Sequence, residues 1–403
     1  MTERRTEPQA FRGRAIELAQ SRKEKTVALR RWFHEHPEPS FHEAATAARI
    51  RSELEKLGIE YRTAGETGTV GVIRGAGNGP TVALRADIDA LEITEETEVP
   101  FRSRKPGLMH ACGHDSHTAA LLTAAAILRE ERETLGGTVE LIFQPGEETG
   151  DGAKIVRESG LVDDADAFFG LHVMPSLRTG RISIGEGAVM AGANNLRIVL
   201  HGRSGHAAVP QETRDAVVAG SAVVLALQRI VARETDPVSP AVVSVGMFRA
   251  GTRRNVIADR AELTGTVRIV SEEDRARVAE AVSRIAAGTA AACGVRAETD
   301  CSFSTGIVVN SAELYPVARA AAARVVPESG VVRLPVCMVS DDFYAYREIA
   351  PSFYALVGVG GGPPDVPAAP LHSGRFILDE AALPIEAALH VEFARRFLES
   401  AAR

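Results

Sequence analysis

Three apolar runs in the first half of the chain each lead into residues able to hold a metal or move a proton. Thr81-Val82-Ala83-Leu84-Arg85 leads to Asp87 and Asp89. Thr138-Val139-Glu140-Leu141-Ile142-Phe143 leads into Gln144-Pro145-Gly146-Glu147-Glu148, and Ala167-Phe168-Phe169-Gly170-Leu171 ends in His172. Short apolar runs rich in β-branched and aromatic residues read as strands. Helical patterns lie between and around them. Glu43 to Leu57 has apolar residues at helical spacing and stops at Gly58, and His117 to Leu128 is rich in Ala and Leu. This alternation, continuing to about residue 185, predicts an α/β fold with a doubly wound mixed sheet. Ligands of such sheets bind beyond the C-terminal ends of the strands. One strand followed by a carboxylate means little, because loops are polar. Three strands delivering Asp, Glu and His to one edge constrain both the fold and the site.

Between the first two runs lies Met109-His110-Ala111-Cys112-Gly113-His114-Asp115-Ser116-His117, in a chain with only 4 Cys and 11 His. Soft and borderline ligands packed this densely point to a transition-metal site. Cys112 and His114 cannot share one face of a helix, so they need a loop or extended turn. A nucleophilic Cys112, or one buried as a small hydrophobe, is the other reading of the segment alone. In the pair Glu147-Glu148, one carboxylate can bind a metal while its neighbour handles a water proton.

The chain has 403 residues, long for one domain, and is 45% hydrophobic, enough for sizeable cores. Its formal net charge is −7 with no long basic run, which argues against nucleic acid as a partner. The first residues lack the apolar stretch of a secretory signal, and no uninterrupted apolar run reaches membrane-spanning length. Cys293, Cys301 and Cys337 follow no disulfide or metal spacing, so free thiols and a cytoplasmic location are expected.

Taken together, the motifs resemble the dinuclear metal amidohydrolases of the aminoacylase/carboxypeptidase type. The chain is most similar to the branch with hippurate hydrolases and indole-acetyl-amino-acid hydrolases. The matching segments run in family order along nearly the whole chain. They are Arg30–Glu38, Arg85–Leu91, His110–His117, Gln144–Glu148, Leu171–Val173, Gly202–Ala208, Asn255–Ile257, Gly265–Arg268, Ser340–Phe343 and Leu371–Phe376. The resemblance implies five metal ligands, Cys112, His114, Glu148, His172 and His372, holding two divalent ions. Zinc or manganese fits best, and cobalt or nickel is possible. Cys112 stands where relatives outside the branch carry a bridging Asp, which implies a bridging thiolate. Glu147 matches the general acid/base, and Asp89 an Asp that orients a ligand. Asp87 occupies the place of a metal-binding His in those relatives. His206 matches a lid histidine that reaches the scissile carbonyl from a partner subunit, and Asn255 and Arg268 match substrate-holding lid residues. Departures from the common pattern include Gln211, Asp341, Gly374 and Glu92, none of them at an implied ligand.

The pattern changes near Gly185-Glu186-Gly187. Asn195–Leu200, Val242–Phe248, Glu262–Ile269 and Val295–Phe303 read as strands, with helices over 214–231 and 272–293. A β-α-β-β-α-β order is ferredoxin-like. Residues 187–304 are therefore expected to form an inserted lid and dimerisation domain. The metal-binding catalytic domain would then be discontinuous, 1–186 plus 305–403, with His372 returning to complete the site. Gly358–Pro364 is expected to be a mobile loop. The function the resemblance implies is metal-dependent hydrolysis of the amide bond of N-acyl amino acids by a homodimer or dimer-based homo-oligomer. A metallo-dipeptidase or carboxypeptidase is the near alternative. A binding protein without catalysis and a cysteine hydrolase are more distant ones.

Overall fold

The structure is a computed structural model that describes residues 13–361 and 369–400. It separates into two compact units. The first runs to Gly187 and takes in Val309–Pro335 and the chain from Asp342 onward; the second is Ala188–Val308 with Val336–Asp341.

In chain order the elements are α1 (Arg14–Ser21), α2 (Lys23–Glu35), α3 (Ala44–Lys56), β1 (Glu60–Ala64), β2 (Gly68–Arg74), β3 (Thr81–Asp87), α4 (His114–Glu130), β4 (Thr138–Gln144), α5 (Gly152–Glu158), β5 (Ala167–Arg178) and β6 (Ile182–Ser183). There follow β7 (Gly187–Met190), β8 (Gly192–His201), β9 (Gly205–His206), α6 (Ala216–Arg229), β10 (Ala241–Ala250), β11 (Val256–Ile257), β12 (Arg260–Ile269), α7 (Glu272–Ala292) and β13 (Arg296–Thr305). The chain closes with β14 (Val308–Asn310), α8 (Tyr315–Val325), β15 (Val331–Val332), β16 (Ser352–Gly360) and α9 (Leu383–Ser400).

The first unit is built on an eight-stranded mixed sheet in the order β1-β2-β4-β3-β5-β16-β6-β15. β3, β4, β5 and β16 pair in parallel, while β1, β2 and β6 join antiparallel. The register puts the chemistry on one level. Asp87 is opposite Gln144 in β4, and Arg85 is opposite Gly170 in β5. Two residues further along parallel strands, Asp87 is level with His172. The strand does not end at His172, as its apolar run suggests. β5 continues to Arg178, held on its other side by β16, where Leu356 is opposite His172.

α4 starts one turn earlier than its Ala/Leu run suggests. Gly113 takes a left-handed conformation, φ 88°, which any side chain would oppose. A Cβ on Gly113 would also lie 2.5 Å from Val173 Cγ2. From this turn the helix runs buried from His114 through Ala125, with Leu121, Leu122 and Leu128 in the main core. Each buried Leu is worth roughly 1.5–3 kcal/mol, so the turn carrying Cys112 and His114 is anchored by the packing of the helix that follows. α9 packs along α4, and Ala387, Ala388 and Val391 of α9 belong to the same core. Gly358–Gly360 belongs to β16 rather than to a loop, because its backbone is paired with β5. The rest of that expected mobile segment, from residue 362, lies outside the described residues.

In the second unit β8, α6, β10, β12, α7 and β13 follow one another, and the sheet order is β10-β12-β8-β13 with every pair antiparallel. Asp215 caps α6 by accepting the Val217 and Val218 amides at 2.8 and 3.2 Å, and Ser271 caps α7 through the Asp274 amide at 3.2 Å. The stretch Ala216–Glu234 has the length and apolarity of a membrane span, with mean hydropathy 1.6. Here its Ala216, Ala219, Gly220, Val223, Leu227 and Ile230 face inward, while Val217, Val218, Leu225 and Val231 remain exposed.

Candidate metal centre

The candidate ligands lie on the first unit, at the level set by the sheet register. The ligand atoms of Cys112, His114 and His172 fall within 4.8 Å of one another. So do those of Cys112, Glu148 and His372, and those of His114, Glu147 and Glu148. Cys112 thus belongs to two overlapping groups of three. Its Sγ is 3.5 Å from His172 Nε2, and His372 Nε2 is 3.4 Å from Glu148 Oε1.

The hydrogen bonds fix which ring nitrogen each histidine offers. His114 Nδ1 donates to the Asp89 carbonyl at 2.9 Å, and His172 Nδ1 donates to the Val173 carbonyl at 2.8 Å. Both rings therefore turn Nε2 toward the ligand cluster, the arrangement metal-binding histidines adopt. His114 Nε2 lies 3.9 Å from Glu148 Oε1, 4.0 Å from Glu147 Oε2 and 3.7 Å from Asp87 Oδ2. Buried polar atoms rarely lack a partner. His114 Nε2 and Glu148 Oε1 are both buried without one. A thiol, imidazoles and carboxylates converging on such orphaned atoms fit divalent transition ions.

The electrostatics agree. Burial pushes the Cys112 thiol well above its usual range. Burial opposes charge on His114, but the Asp87 carboxylate and the hydrogen bond with Asp89 hold its ring well above the ordinary imidazole value. Negative charge gathers around His114, and an incoming cation would meet it in place of the ring proton.

Local backbone geometry places the carboxylates. Glu147 and Glu148 sit on a short 3-10 turn. It starts at Gly146, whose φ is 61° and whose α-carbon packs against the Phe41 ring too closely for a Cβ. Asp89 joins two parts of the site. Its Oδ2 accepts Ser40 Oγ at 2.6 Å and the Glu148 amide at 3.0 Å, while its carbonyl holds His114. His372 stands apart from the other candidates. It is half exposed and has φ 61°, rare for a residue with a Cβ, and its amide is tied to the Ala111 carbonyl at 2.9 Å.

Asp87 and His117 also come within ligand range of His114. Both ring nitrogens of His117 are already committed, however. Nδ1 meets Asp87 Oδ1 at 2.6 Å, and Nε2 accepts the Val173 amide at 3.1 Å. Asp87 is in turn held by Arg85 at 2.7 Å, and Arg85 also meets Asp342 at 2.9 Å and Gln144 at 2.9 Å. A second buried network holds the other side of the turn. Arg30 and His34 of α2 each lie 2.8 Å from Asp115 Oδ2, and His34 Nε2 is 3.2 Å from Glu95. Sequence reading missed these supporting layers. The signals were the i, i+2 spacing of Arg85 and Asp87 on one strand face and the i, i+4 spacing of Arg30 and His34 on one helix face.

His206, Asn255 and Arg268 lie in the second unit. His206 is exposed on β9, which pairs with β11, and its Nδ1 accepts the Ala208 amide at 3.1 Å. The Asn255 carbonyl accepts the Ala207 amide at 3.1 Å, so the two residues lie beside one small two-stranded antiparallel ladder. Arg268, half-buried on β12, donates to Ser340 Oγ at 2.7 Å, and no carboxylate pairs with it among the described residues.

Comparison with known proteins finds relatives along nearly the whole chain. A family model described as peptidase family M20/M25/M40 matches residues 83–396. The chain is 39% identical over 376 residues to an N-acetylcysteine deacetylase of Bacillus subtilis, covering 93% of this chain and 97% of that protein. It is 38% identical over 377 residues to the IAA-amino acid hydrolase ILR1-like 4 of Arabidopsis thaliana, covering 92% and 85%. To thermostable carboxypeptidase 2 of Saccharolobus solfataricus it is 36% identical over 379 residues, covering 92% and 95%. A solved structure of the Bacillus subtilis YXEP protein, described as a dinuclear metal binding peptidase from the M20 family, is similar with TM-score 0.83 and 37% identity, covering 94% and 99%.

Proposed function

The chain belongs to peptidase family M20/M25/M40 and is a metal-dependent hydrolase of amide bonds, and from that premise we propose that it cleaves N-acyl amino acids into a carboxylic acid and an amino acid. The observation that carries this reading is the pair of three-residue groups sharing Cys112, with Glu147 beside them. The relatives named for deacetylation and for hydrolysis of amino acid conjugates supply the substrate class.

In the proposed assignment Cys112, His114, Glu148, His172 and His372 hold two divalent ions, with zinc or manganese preferred and cobalt or nickel possible. Bound there, the ions supply Lewis acidity, polarising a carbonyl and lowering the pKa of a water from about 16 toward 7. Glu147 takes the proton of the attacking water at its carboxylate and returns it to the amide nitrogen as the C–N bond breaks. Asp89 keeps His114 turned by accepting its Nδ1–H. His206 donates a hydrogen bond to the developing oxyanion, and Asn255 helps hold the substrate. The planar fork of Arg268 suits the substrate carboxylate.

The second unit is proposed as a ferredoxin-like lid that also makes a homodimer. β10 is an edge strand with exposed Met247 and Phe248, and α6 leaves Leu225 74% exposed. Unpaired edges and apolar patches of this kind favour pairing with another copy. The free cysteines fit a cytoplasmic location. Neither nucleic acid nor a membrane is proposed as a partner.

The test is hydrolysis of acetyl, benzoyl and indole-acetyl amino acids, with free dipeptides beside them, before and after chelation and with metals restored. Chelator-sensitive cleavage of the blocked substrates supports the proposal. Cleavage of dipeptides alone would replace it with a dipeptidase.

A further inference from the structure

Beneath the turn carrying Cys112 and His114 lies a buried carboxyl group for which the proposed chemistry has no use. Glu386, in the first turn of α9, is 0% exposed. Its Oε2 is 3.2 Å from Ser116 Oγ, and its Oε1 has no partner. Ser116 Oγ is also 2.8 Å from the Gly113 carbonyl.

Proton counting decides the state of this group. A serine hydroxyl has one proton, and a carbonyl oxygen can only accept. The shorter contact, to Gly113, takes the Ser116 proton. Were Glu386 ionised, Ser116 Oγ would face a second acceptor with no proton between them. Were the serine to turn toward Glu386 instead, its lone pairs would meet the Gly113 carbonyl at 2.8 Å. Both contacts are satisfied only when Glu386 carries a proton on Oε2 and donates it to Ser116.

We propose that Glu386 is kept as a neutral carboxylic acid and acts as a positioning residue. Its O–H binds Ser116, Ser116 binds the Gly113 carbonyl, and the left-handed turn that spaces Cys112 from His114 is held in place.

The surroundings favour the neutral form. Burial raises the carboxyl pKa to about 8, with the Asp115 and Asp87 carboxylates acting in the same direction and outweighing the Ser116 hydrogen bond and the charge of Arg30. His390, one turn along α9, is held uncharged by burial and adds no compensating cation. An ionised group here would be a buried anion with one unsatisfied oxygen, which proteins avoid.

The inference rests on Cys112 and His114 being ligands only for its consequence; the protonation state is measured without that reading. In an infrared difference spectrum of the purified protein at pH 7, parent minus Glu386→Gln, a protonated carboxyl C=O band is expected. Carboxylate bands in its place would overturn the proposal whatever the site binds. For the consequence, Glu386→Gln keeps shape and a donor, so its zinc affinity should stay within about threefold of the parent. Glu386→Leu and Ser116→Ala, which break the relay, should weaken zinc binding roughly 10–100-fold in a chelator competition. Should Glu386→Leu fail to fold, Ser116→Ala carries the comparison. Equal loss in Glu386→Gln and Ser116→Ala, or no loss in Ser116→Ala, would refute the positioning role.

Discussion

Replacing Arg85 with Met should be among the costliest single changes in the first unit. Arg85 is completely buried and lies 2.7 Å from Asp87 and 2.9 Å from Asp342, both also buried. Met fills most of the stem volume but removes the guanidinium that meets the Asp87 and Asp342 carboxylates. Breaking a buried pair by removing one partner costs about 3–5 kcal/mol. Asp342 keeps Gln144 at 2.8 Å and the Ala153 amide at 2.7 Å, and Asp87 keeps His117 at 2.6 Å, so the lower part of that range, about 3–4 kcal/mol, is expected. At about 2–4 °C per kcal/mol, this corresponds to a fall of roughly 6–16 °C in Tm. The pH dependence has a definite sign. Burial would raise the Asp87 pKa, but His114, Arg85 and His117 together hold it well below the usual carboxylate range. A depressed folded-state pKa contributes stability above the unfolded value and loses it as pH falls. The deficit of Arg85→Met should therefore be largest near neutral pH and narrow in acid. Denaturant unfolding of metal-free protein, with Asp342→Asn and the double variant, measures both the cost and the coupling. A parent-like Arg85→Met, or strict additivity in the double variant, would refute the reasoning.

Glu147→Gln should retain two metals per chain in elemental analysis while kcat falls about 10²–10⁴-fold, the usual worth of a positioned acid/base. Cys112→Ala should lose bound metal, since one side chain serves both ligand groups; unchanged stoichiometry would count against it. Glu95 is held at about 2, against its burial, by His34 and the Ser103 amide. Its folded pKa is depressed, so Glu95→Gln should be less stable than the parent at pH 7, with the gap closing between about pH 4.5 and 2 in acid titrations followed by circular dichroism. Glu147→Gln and His206→Ala chains, each inactive alone, should regain activity when mixed if the proposed dimer shares its sites; no recovery after subunit exchange would argue for a site within one chain.

What the sequence disclosed and what it hid divide along a physical line. Strand and helix periods are local, so β3, β4, α3 and α7 fall close to their expected spans. Boundaries decided by backbone conformation or pairing were not legible. α4 gains a turn because Gly113 adopts a left-handed angle, and β5 outruns its apolar segment because β16 pairs with it. The candidate ligands carried a chemical signature, a Cys and several His in a chain poor in both. Their support did not, because Arg85 and Asp342, or Ser116 and Glu386, are far apart in sequence and each looks ordinary alone. The excursion of residues 336–341 into the second unit has no compositional mark either.

The unequal footing of the candidate ligands has a kinetic consequence. His172 is fixed within a strand paired with β16, and His114 within the first turn of a buried helix, whereas His372 is half exposed on a connection between β16 and α9. Two cations held by these candidates would then not exchange alike. A cation resting on His372 would have one half-exposed, water-facing ligand and so a short path to solvent. The one between His114 and His172 would wait for the sheet edge itself to open. Metal loading would then be sequential, with a slowly exchanging ion and a labile one whose occupancy follows the free metal around the protein.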